Sequence, residues 1–476
     1  MAYGRLNVLG LAVAMAAGAV SLVIIAPAQQ PLVMPGLLAA FLLVAVGAKV
    51  WERPALGLAG AICLIAVPWP PEGEGREVEV TLPDLAAVAI VGIVVLRLLV
   101  YGDGGGRLRS WVMLPAAGVV VAGAVATVAA EDPSVSLFGL VRFAQIFAIV
   151  PVVTYLSLRD RLDLKLVLGG VVVLGLFEGG LGIYQYATGT GAEYGEASSR
   201  AVGTFGAYGI MGLAQVVTCA ILVLAAIYAT VRDGRRFVAL SLLAVLVLPL
   251  VFSFSRGSWL AAIVGVATVL ALSSWRKLAL FVATGLVAVS LSFAVGGDGA
   301  NGLTERFTSI FSVASSPDQS VQDRYAMWEA ARGMWTDQPL TGIGIKNFPY
   351  LRDSYAPLRF SGGSDIADPG VGFRRVELLS PHSLYWLILS EQGLVGAFAY
   401  GAFFASLGAA GVMRLGKLKM GSTERVLGLV SIGFLTSYLF DSIYGDIGGS
   451  TEVLFAILLG CVMWLASGVD VEGEDA

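Results

Sequence analysis

One histidine and three arginines stand where this chain could do chemistry. His382, the only histidine in 476 residues, lies in Ser380-Pro381-His382-Ser383-Leu384-Tyr385-Trp386. An imidazole of ordinary pKa, about 6.5, can take a proton from a hydroxyl at neutral pH. Arg200 lies in Ser198-Ser199-Arg200-Ala201-Val202-Gly203-Thr204-Phe205-Gly206, Arg256 in Ser253-Phe254-Ser255-Arg256-Gly257-Ser258-Trp259, and Arg324 in a polar stretch further on. A guanidinium is permanently charged and forked, which suits it to bidentate contact with phosphate oxygens. Together these residue types suit an anionic lipid head held beside a hydroxyl that is losing its proton.

Each of these residues also has a plainer reading. An interfacial histidine can be a hydrogen-bonded structural residue, and an arginine at a helix end can snorkel to lipid phosphate. Arg256 is the strongest functional case, because its turn is so short that the guanidinium must sit at membrane depth. Within apolar runs stand Arg142, Glu178 and, near one end, Asp441; buried ionisable groups are functional or else paired, and Arg142 with Glu178 would make a structural ion pair. Glu391 follows His382 by about two and a half helical turns, too far to orient the imidazole directly. No Gly-x-Ser-x-Gly elbow accompanies His382, which argues against a serine triad. Gly342-Ile343-Gly344 after Pro339-Leu340 reads as a tight turn before it reads as a phosphate loop.

The elements that must position these residues are membrane helices. Apolar residues make up 57% of the chain and charged ones 13%, half the charged share of an ordinary soluble domain. A net charge of −4 argues against nucleic acid as a partner, which would need a concentrated basic surface. Cys63, Cys219 and Cys461 are scattered through apolar runs, so neither disulfides nor a thiolate metal site is expected. With one histidine, no metal set of His and Cys is expected either, and no cofactor is called for. Runs long enough to cross a hydrocarbon core of about 30 Å fall near 6–26, 32–50, 54–69, 83–101, 111–130, 135–156, 164–187, 206–231, 236–254, 258–273, 278–296, 393–413, 426–444 and 451–468. The expected fold is therefore all-α: one polytopic membrane domain over residues 1–476, a bundle of about 12–14 transmembrane helices.

Lys and Arg collect in alternate loops, at Lys49 and Arg53, Arg107 and Arg109, Arg159 to Lys165, Arg232 to Arg236, Arg276 and Lys277, and Arg414 to Arg425. These loops and both termini, with the acidic tail Asp470 to Asp475, are expected in the cytoplasm. The opposite short loops hold Arg76, Arg200 and Arg256. The long polar interval Gly297 to Ser380, an extracytoplasmic loop over 297–381, then faces outside with His382 at its end. Roughly 85 residues is far longer than an ordinary connection between helices. From Ser320 to Trp335 it has a helical pattern, with Met327, Ala330, Ala331 and Met334 on one face and Arg324, Trp328 and Trp335 along the adjoining one. Such a helix would act as a lid over a membrane-embedded site.

Four motifs in order, Arg200-Ala201-Val202-Gly203-Thr204-Phe205-Gly206, Ser255-Arg256-Gly257-Ser258-Trp259, Arg324-Tyr325-Ala326-Met327-Trp328 leading to Pro339-Leu340-Thr341-Gly342-Ile343-Gly344, and Pro381-His382-Ser383 leading to Glu391-Gln392-Gly393-Leu394-Val395-Gly396, resemble the O-antigen ligase and polymerase family of bacterial envelope proteins. The likeness runs from about Glu178 to Gly396; earlier spans match in hydropathy alone. It implies a metal-independent, inverting membrane glycosyltransferase of the inner membrane that moves a glycan from a polyprenyl diphosphate carrier to a glycan, lipid or cell-wall acceptor. By the same resemblance Arg200, Arg256 and Arg324 correspond to diphosphate-binding arginines and His382 to the histidine that activates the acceptor hydroxyl. Trp328 and Trp335 would stack on sugar rings. Many members carry Asn after the histidine where this chain has Ser383, a departure that bears on the acceptor more than on the chemistry. A ligase reading comes first and a polymerase second. A transporter of lipid-linked glycans is the rival from another class, disfavoured because the charges gather at one face instead of lining the midplane.

Overall fold

In lipid every backbone polar group has to be satisfied within the segment that carries it, so the apolar runs have little choice but to be helices. The computed structural model describes residues 46–68, 80–102, 106–194, 198–207, 209–295, 319–366, 374–447, 449 and 451–470. The helices are α1 Pro54–Leu64, α2 Leu82–Tyr101, α3 Met113–Val128, α4 Pro133–Ser157, α5 Arg161–Thr188, α6 Gly212–Thr230, α7 Arg235–Phe252, α8 Arg256–Ser273, α9 Trp275–Val295, α10 Gln319–Asp337, α11 Phe348–Tyr355, α12 Leu384–Leu415, α13 Thr423–Asp441 and α14 Glu452–Ser467. Two short hairpins join them: β1 Ala192–Tyr194 with β2 Ser198–Arg200, and β3 Gly363–Ile366 with β4 Arg374–Glu377, both antiparallel. The expected polytopic helical bundle is present, with helices at every expected span from 54–69 onward. The spans expected at 6–26 and, up to residue 45, at 32–50, together with Arg76, the loop segment 297–318 and the tail from residue 471, lie outside the described residues.

Local sequence sets the helix ends. Thr81 and Asp84 form a reciprocal capping box at the start of α2 and Asp160 with Asp163 another at α5, each covering amides that would otherwise lack partners. Helix α5 ends where Gly189 turns left-handed at φ 70°. Helix α1 has 11 residues, a length of about 16 Å, and does not cross a bilayer alone. Helix α14 is buried along nearly its whole length and sits inside the bundle, whereas α2 and α7 show large apolar side chains such as Leu99 and Phe237 to the outside, as lipid-facing helices do. The most extensive helix pair is α8 against α13, and α6 packs on both.

The charged loops form one end of the bundle. Arg53 Nη1 meets Asp160 Oδ1 at 2.7 Å and Asp163 Oδ1 at 2.6 Å, Arg161 Nε meets Glu424 Oε1 at 2.7 Å, and Arg107 Nη1 donates to Leu158 O at 2.8 Å. The starts of α6, α8, α12 and α14 and the end of α13 gather at the other end.

The described part of the long loop, from residue 319, is folded. Met327, Ala331, Met334, Ile343 and Phe348 make a small core of their own, with Tyr355, Leu378 and Trp386 packed around it, so α10 buries the face that its periodicity marked. The loop is then spliced into α12, which is broken at Gly393 (φ 59°, ψ −157°). Pro339–Gly344 fills the break. Ile343 N donates to Ser390 O at 2.9 Å and Gly344 N to Glu391 O at 3.0 Å, while Leu394 N donates to Pro339 O at 2.9 Å and Val395 N to Leu340 O at 3.1 Å. These four bonds replace the helical ones that the break removes. Gly342 (φ +67°) has to be glycine, because a Cβ there would lie 2.5 Å from Gln392 N, among backbone atoms that cannot swing away. The tight turn read at Gly342-Ile343-Gly344 is thus a splint. The break also explains why hydropathy begins the span at residue 393: beyond it, 394–415 is long enough to cross on its own, about 33 Å, and Leu384–Gln392 is a separate short helix carrying His382 at its head.

Candidate active site

Four segments meet at the end of the bundle opposite the charged loops. The first carries Arg200. Gln185 of α5 accepts from Val202 N (3.1 Å) and Gly203 N (2.8 Å) and donates to Gly203 O (2.8 Å). Glu178, fully buried, accepts from Thr204 N at 2.9 Å and Thr204 Oγ1 at 2.6 Å. Ala201 N donates to Phe252 O at 3.0 Å, which ties the segment to the second one, the turn between α7 and α8. Arg200 is itself buried, and burial pushes its pKa down to about 10, still charged at neutral pH.

The second segment presents Arg256 as the first residue of α8. Ser253 Oγ donates to Leu250 O at 2.6 Å, Trp259 Nε1 donates to the same carbonyl at 2.6 Å, and the Ser255 and Ser258 hydroxyls meet at 2.9 Å. These bonds hold Phe254 at φ 51°, a left-handed conformation unusual for a bulky residue. Arg256 thus opens α8, and a helix N-terminus is a place suited to anions.

The third segment is the His382 turn. His382 also sits in the left-handed region, at φ 47°, and strained residues of this kind persist where their surroundings over-determine them. Trp328 Nε1 donates to Pro381 O at 2.9 Å, His382 N donates to Ser380 Oγ at 3.4 Å, and Leu384 N donates to Ser442 O and Gly445 O at 3.0 and 2.9 Å. The fourth segment is that partner, the turn after α13. Its Asp446 accepts from Ser380 Oγ, and its Tyr444 ring lies against Gly257, beside Arg256.

Electrostatics follow from this packing. The His382 imidazole, partly exposed, is held below its ordinary pKa, first by burial and next through the opposed charges of Asp446, which raises it, and Arg324, which lowers it. It is neutral at neutral pH, the form that accepts a proton. The charge of Arg324 also acts on Asp441, at the end of α13. Asp441 accepts from Gln215 Nε2 at 3.0 Å, and Gln215 Oε1 accepts from Thr451 Oγ1 at 3.1 Å.

The constellation joins most of the expected residues. The charge of Arg324 acts on His382, Arg256 borders the turn that carries Asp446, and Arg200 is fastened to the Arg256 turn. Trp328 is committed to the backbone of the His382 turn and stands edge-on to Tyr325, so its indole clamps that turn. Trp335 lies seven residues further along α10, about 10 Å up the helix, and no described hydrogen bond ties it to the constellation. The expected Arg142–Glu178 pair does not form: Glu178 is used by Thr204, and Arg142 pairs with Asp84 of α2. Asp446 was not singled out in the sequence, although a second carboxylate so soon after Asp441 in a short polar turn was a usable signal.

Among known proteins, no curated protein matches the chain. The family model described as O-antigen ligase matches residues 241–401. The match covers α7 to the first half of α12, with Arg256, Arg324, Trp328, Trp335 and His382 inside it. Arg200 and Asp446 fall outside, so the likeness traced from Glu178 begins later in this comparison. Residues 241–401, set in a multi-pass helical membrane bundle, are thus similar to the O-antigen ligase family.

Proposed function

We propose that the chain is a glycosyltransferase of the inner membrane that moves a glycan from a polyprenyl diphosphate carrier to a hydroxyl acceptor on the extracytoplasmic side. The observation that carries this reading is His382 on a strained turn docked to the turn of Asp446, whose Tyr444 lies beside the helix that Arg256 opens. The acceptor oxygen forms its bond to the anomeric carbon as the bond from that carbon to the diphosphate oxygen breaks. The acceptor proton passes to the His382 imidazole, and the resulting imidazolium is stabilised by Asp446. The electron pair of the broken bond leaves with the diphosphate, whose growing charge is met by Arg256, Arg324 and Arg200. A single displacement of this kind inverts the anomeric centre. Guanidinium groups here take the part that a divalent ion plays in other phosphate-releasing enzymes. Trp335 on α10 is assigned to stacking on a sugar ring of the glycan.

Reconstitution of the purified protein with a polyprenyl diphosphate glycan and candidate acceptors, with a chelator present, tests the proposal. Transfer to a different lipid or a wall component supports the ligase reading, and a longer glycan on the carrier identifies a polymerase. Loss of activity on chelation would overturn the role given to the arginines, and carrier translocation without transfer would make the protein a transporter.

A further inference from the structure

A buried aspartate paired with a half-buried arginine between spans is costly to keep in a membrane protein, and the pair formed by Asp84 and Arg142 has no part in the chemistry above. Its geometry is specific. Arg142 Nη1 binds Asp84 Oδ1 and also donates to Gln145 Oε1 at 3.1 Å, and Gln145 Nε2 donates to the same Asp84 oxygen at 2.8 Å. The other carboxylate oxygen of Asp84 accepts from Thr81 N at 2.9 Å and Thr81 Oγ1 at 2.7 Å. Gln145 opens a π-helical segment, Gln145–Ile149, inside α4, and such bulges re-aim side chains that a regular helix would place elsewhere. The fork so fixed points its remaining arm, Nη2, at Gly449 O, 3.4 Å away.

Gly449 belongs to the turn on which the His382 turn is docked. That turn receives Leu384 N on Ser442 O and Gly445 O, Ser383 Oγ on Ser442 O at 3.5 Å, and Ser380 Oγ on Asp446. Contacts therefore reach from the half-buried guanidinium to Gly449, four residues along the chain from Gly445, whose carbonyl receives Leu384 N beside His382. We propose that Arg142 is a positioning residue for His382, acting through Gly449 and the turn of Ser442, Gly445 and Asp446, with Asp84, Gln145 and the π segment serving to aim its guanidinium. A forked cation is required, since a point charge cannot reach Asp84, Gln145 and Gly449 together. The proposal deepens the reading of His382 as the base, but its test does not depend on that reading.

His382 is the only histidine, so diethyl pyrocarbonate, followed by the absorbance of the carbethoxy-imidazole, reports on this one side chain in the full-length protein in detergent. In Arg142→Gln the modification rate at pH 8 is expected to rise at least threefold as the turn loosens; Arg142→Lys should raise it nearly as much, and it serves if the glutamine variant does not fold. Arg53→Gln, which breaks the ion pairs at the opposite end of the bundle, should leave the rate unchanged. If glycan transfer is established, Arg142→Lys should lower kcat about tenfold with the KM for the carrier unaltered. A rate equal to wild type in a folded Arg142 variant, or an equal rise in Arg53→Gln, overturns the proposal; failure of transfer in the wild type with the rate effect intact would count against the enzyme reading alone.

Discussion

Replacing Gly342 with alanine tests whether the loop is a structural part of the site or a cover laid over it. The residue has φ +67°, and its Cβ would meet the backbone of Glu391 and Gln392, the second nearest atom being Gln392 N at 2.5 Å. Left-handed backbone costs an alanine about 1–2 kcal/mol. The clash cannot be relieved by a rotamer, so the splint must draw back, and of its four bonds to α12 the two nearest, from Ile343 N and Gly344 N, lengthen or break at about 1 kcal/mol each. The sum is about 3–4 kcal/mol, concentrated at the break that sets the direction of the helix headed by His382. Thermal unfolding of the purified protein in detergent should show Gly342→Ala several degrees less stable than wild type, with transfer reduced by more than tenfold where the fold survives. Gly92 in α2 has nothing within 4 Å of its Cβ position, so Gly92→Ala should be neutral or stabilising by about 1 kcal/mol. Wild-type stability and activity in Gly342→Ala would refute the splint.

Removing the base, His382→Ala, should lower turnover by about 10²–10⁴ with carrier binding retained, read in single-turnover assays with labelled carrier. Arg256→Lys should lose most activity because an ammonium lacks the fork of donors; full activity would remove Arg256 from the site. The acid limb of the kcat/KM profile should lie below pH 6.5, because the folded imidazole is held below its ordinary pKa and loses activity only as pH falls through that lowered value. Arg324→Gln should move this limb to higher pH and Asp446→Asn to lower pH, since the first charge disfavours the imidazolium and the second favours it; shifts of opposite sign would reverse the assignment. With the native Cys63 replaced by alanine, Leu358→Cys in the loop should react with an impermeant thiol reagent from outside the cell and Met420→Cys only after lysis.

The sequence made the bundle legible because each span is a long uninterrupted apolar run, and made α10 legible because Met327, Ala331 and Met334 recur at helical spacing and are buried as that spacing requires. Pairings between distant segments were another matter. Arg142 and Glu178 are adjacent charges in a list of intramembrane residues, but which of them meet depends on which helices neighbour each other and on competing partners. Thr204 offers Glu178 both an amide and a hydroxyl, and Asp84 reaches Arg142 from a helix start. Likewise Pro339–Gly344 announces a turn by composition, whereas its insertion at Gly393 depends on a backbone register between residues some fifty positions apart, and no local propensity encodes that.

The two non-glycine residues forced into left-handed backbone at the site, Phe254 and His382, are the residues before the Arg256 helix and at the head of the α12 helix. Phe254 is held by bonds within its own turn, with Ala201 N fastened to Phe252 O beside it, and His382 by bonds from other segments, Trp328 on Pro381 and the 442 and 445 carbonyls on Leu384. Side-chain chemistry is thus concentrated in a few groups whose directions are fixed by backbone that cannot relax locally. It follows that variants of Trp328 should damage the site through His382 before they affect contact with any sugar. Trp328→Phe keeps the ring but loses the indole donor to Pro381 O, so it should lower kcat while leaving glycan affinity near wild type. A change confined to affinity would instead restore Trp328 to the role of a stacking platform.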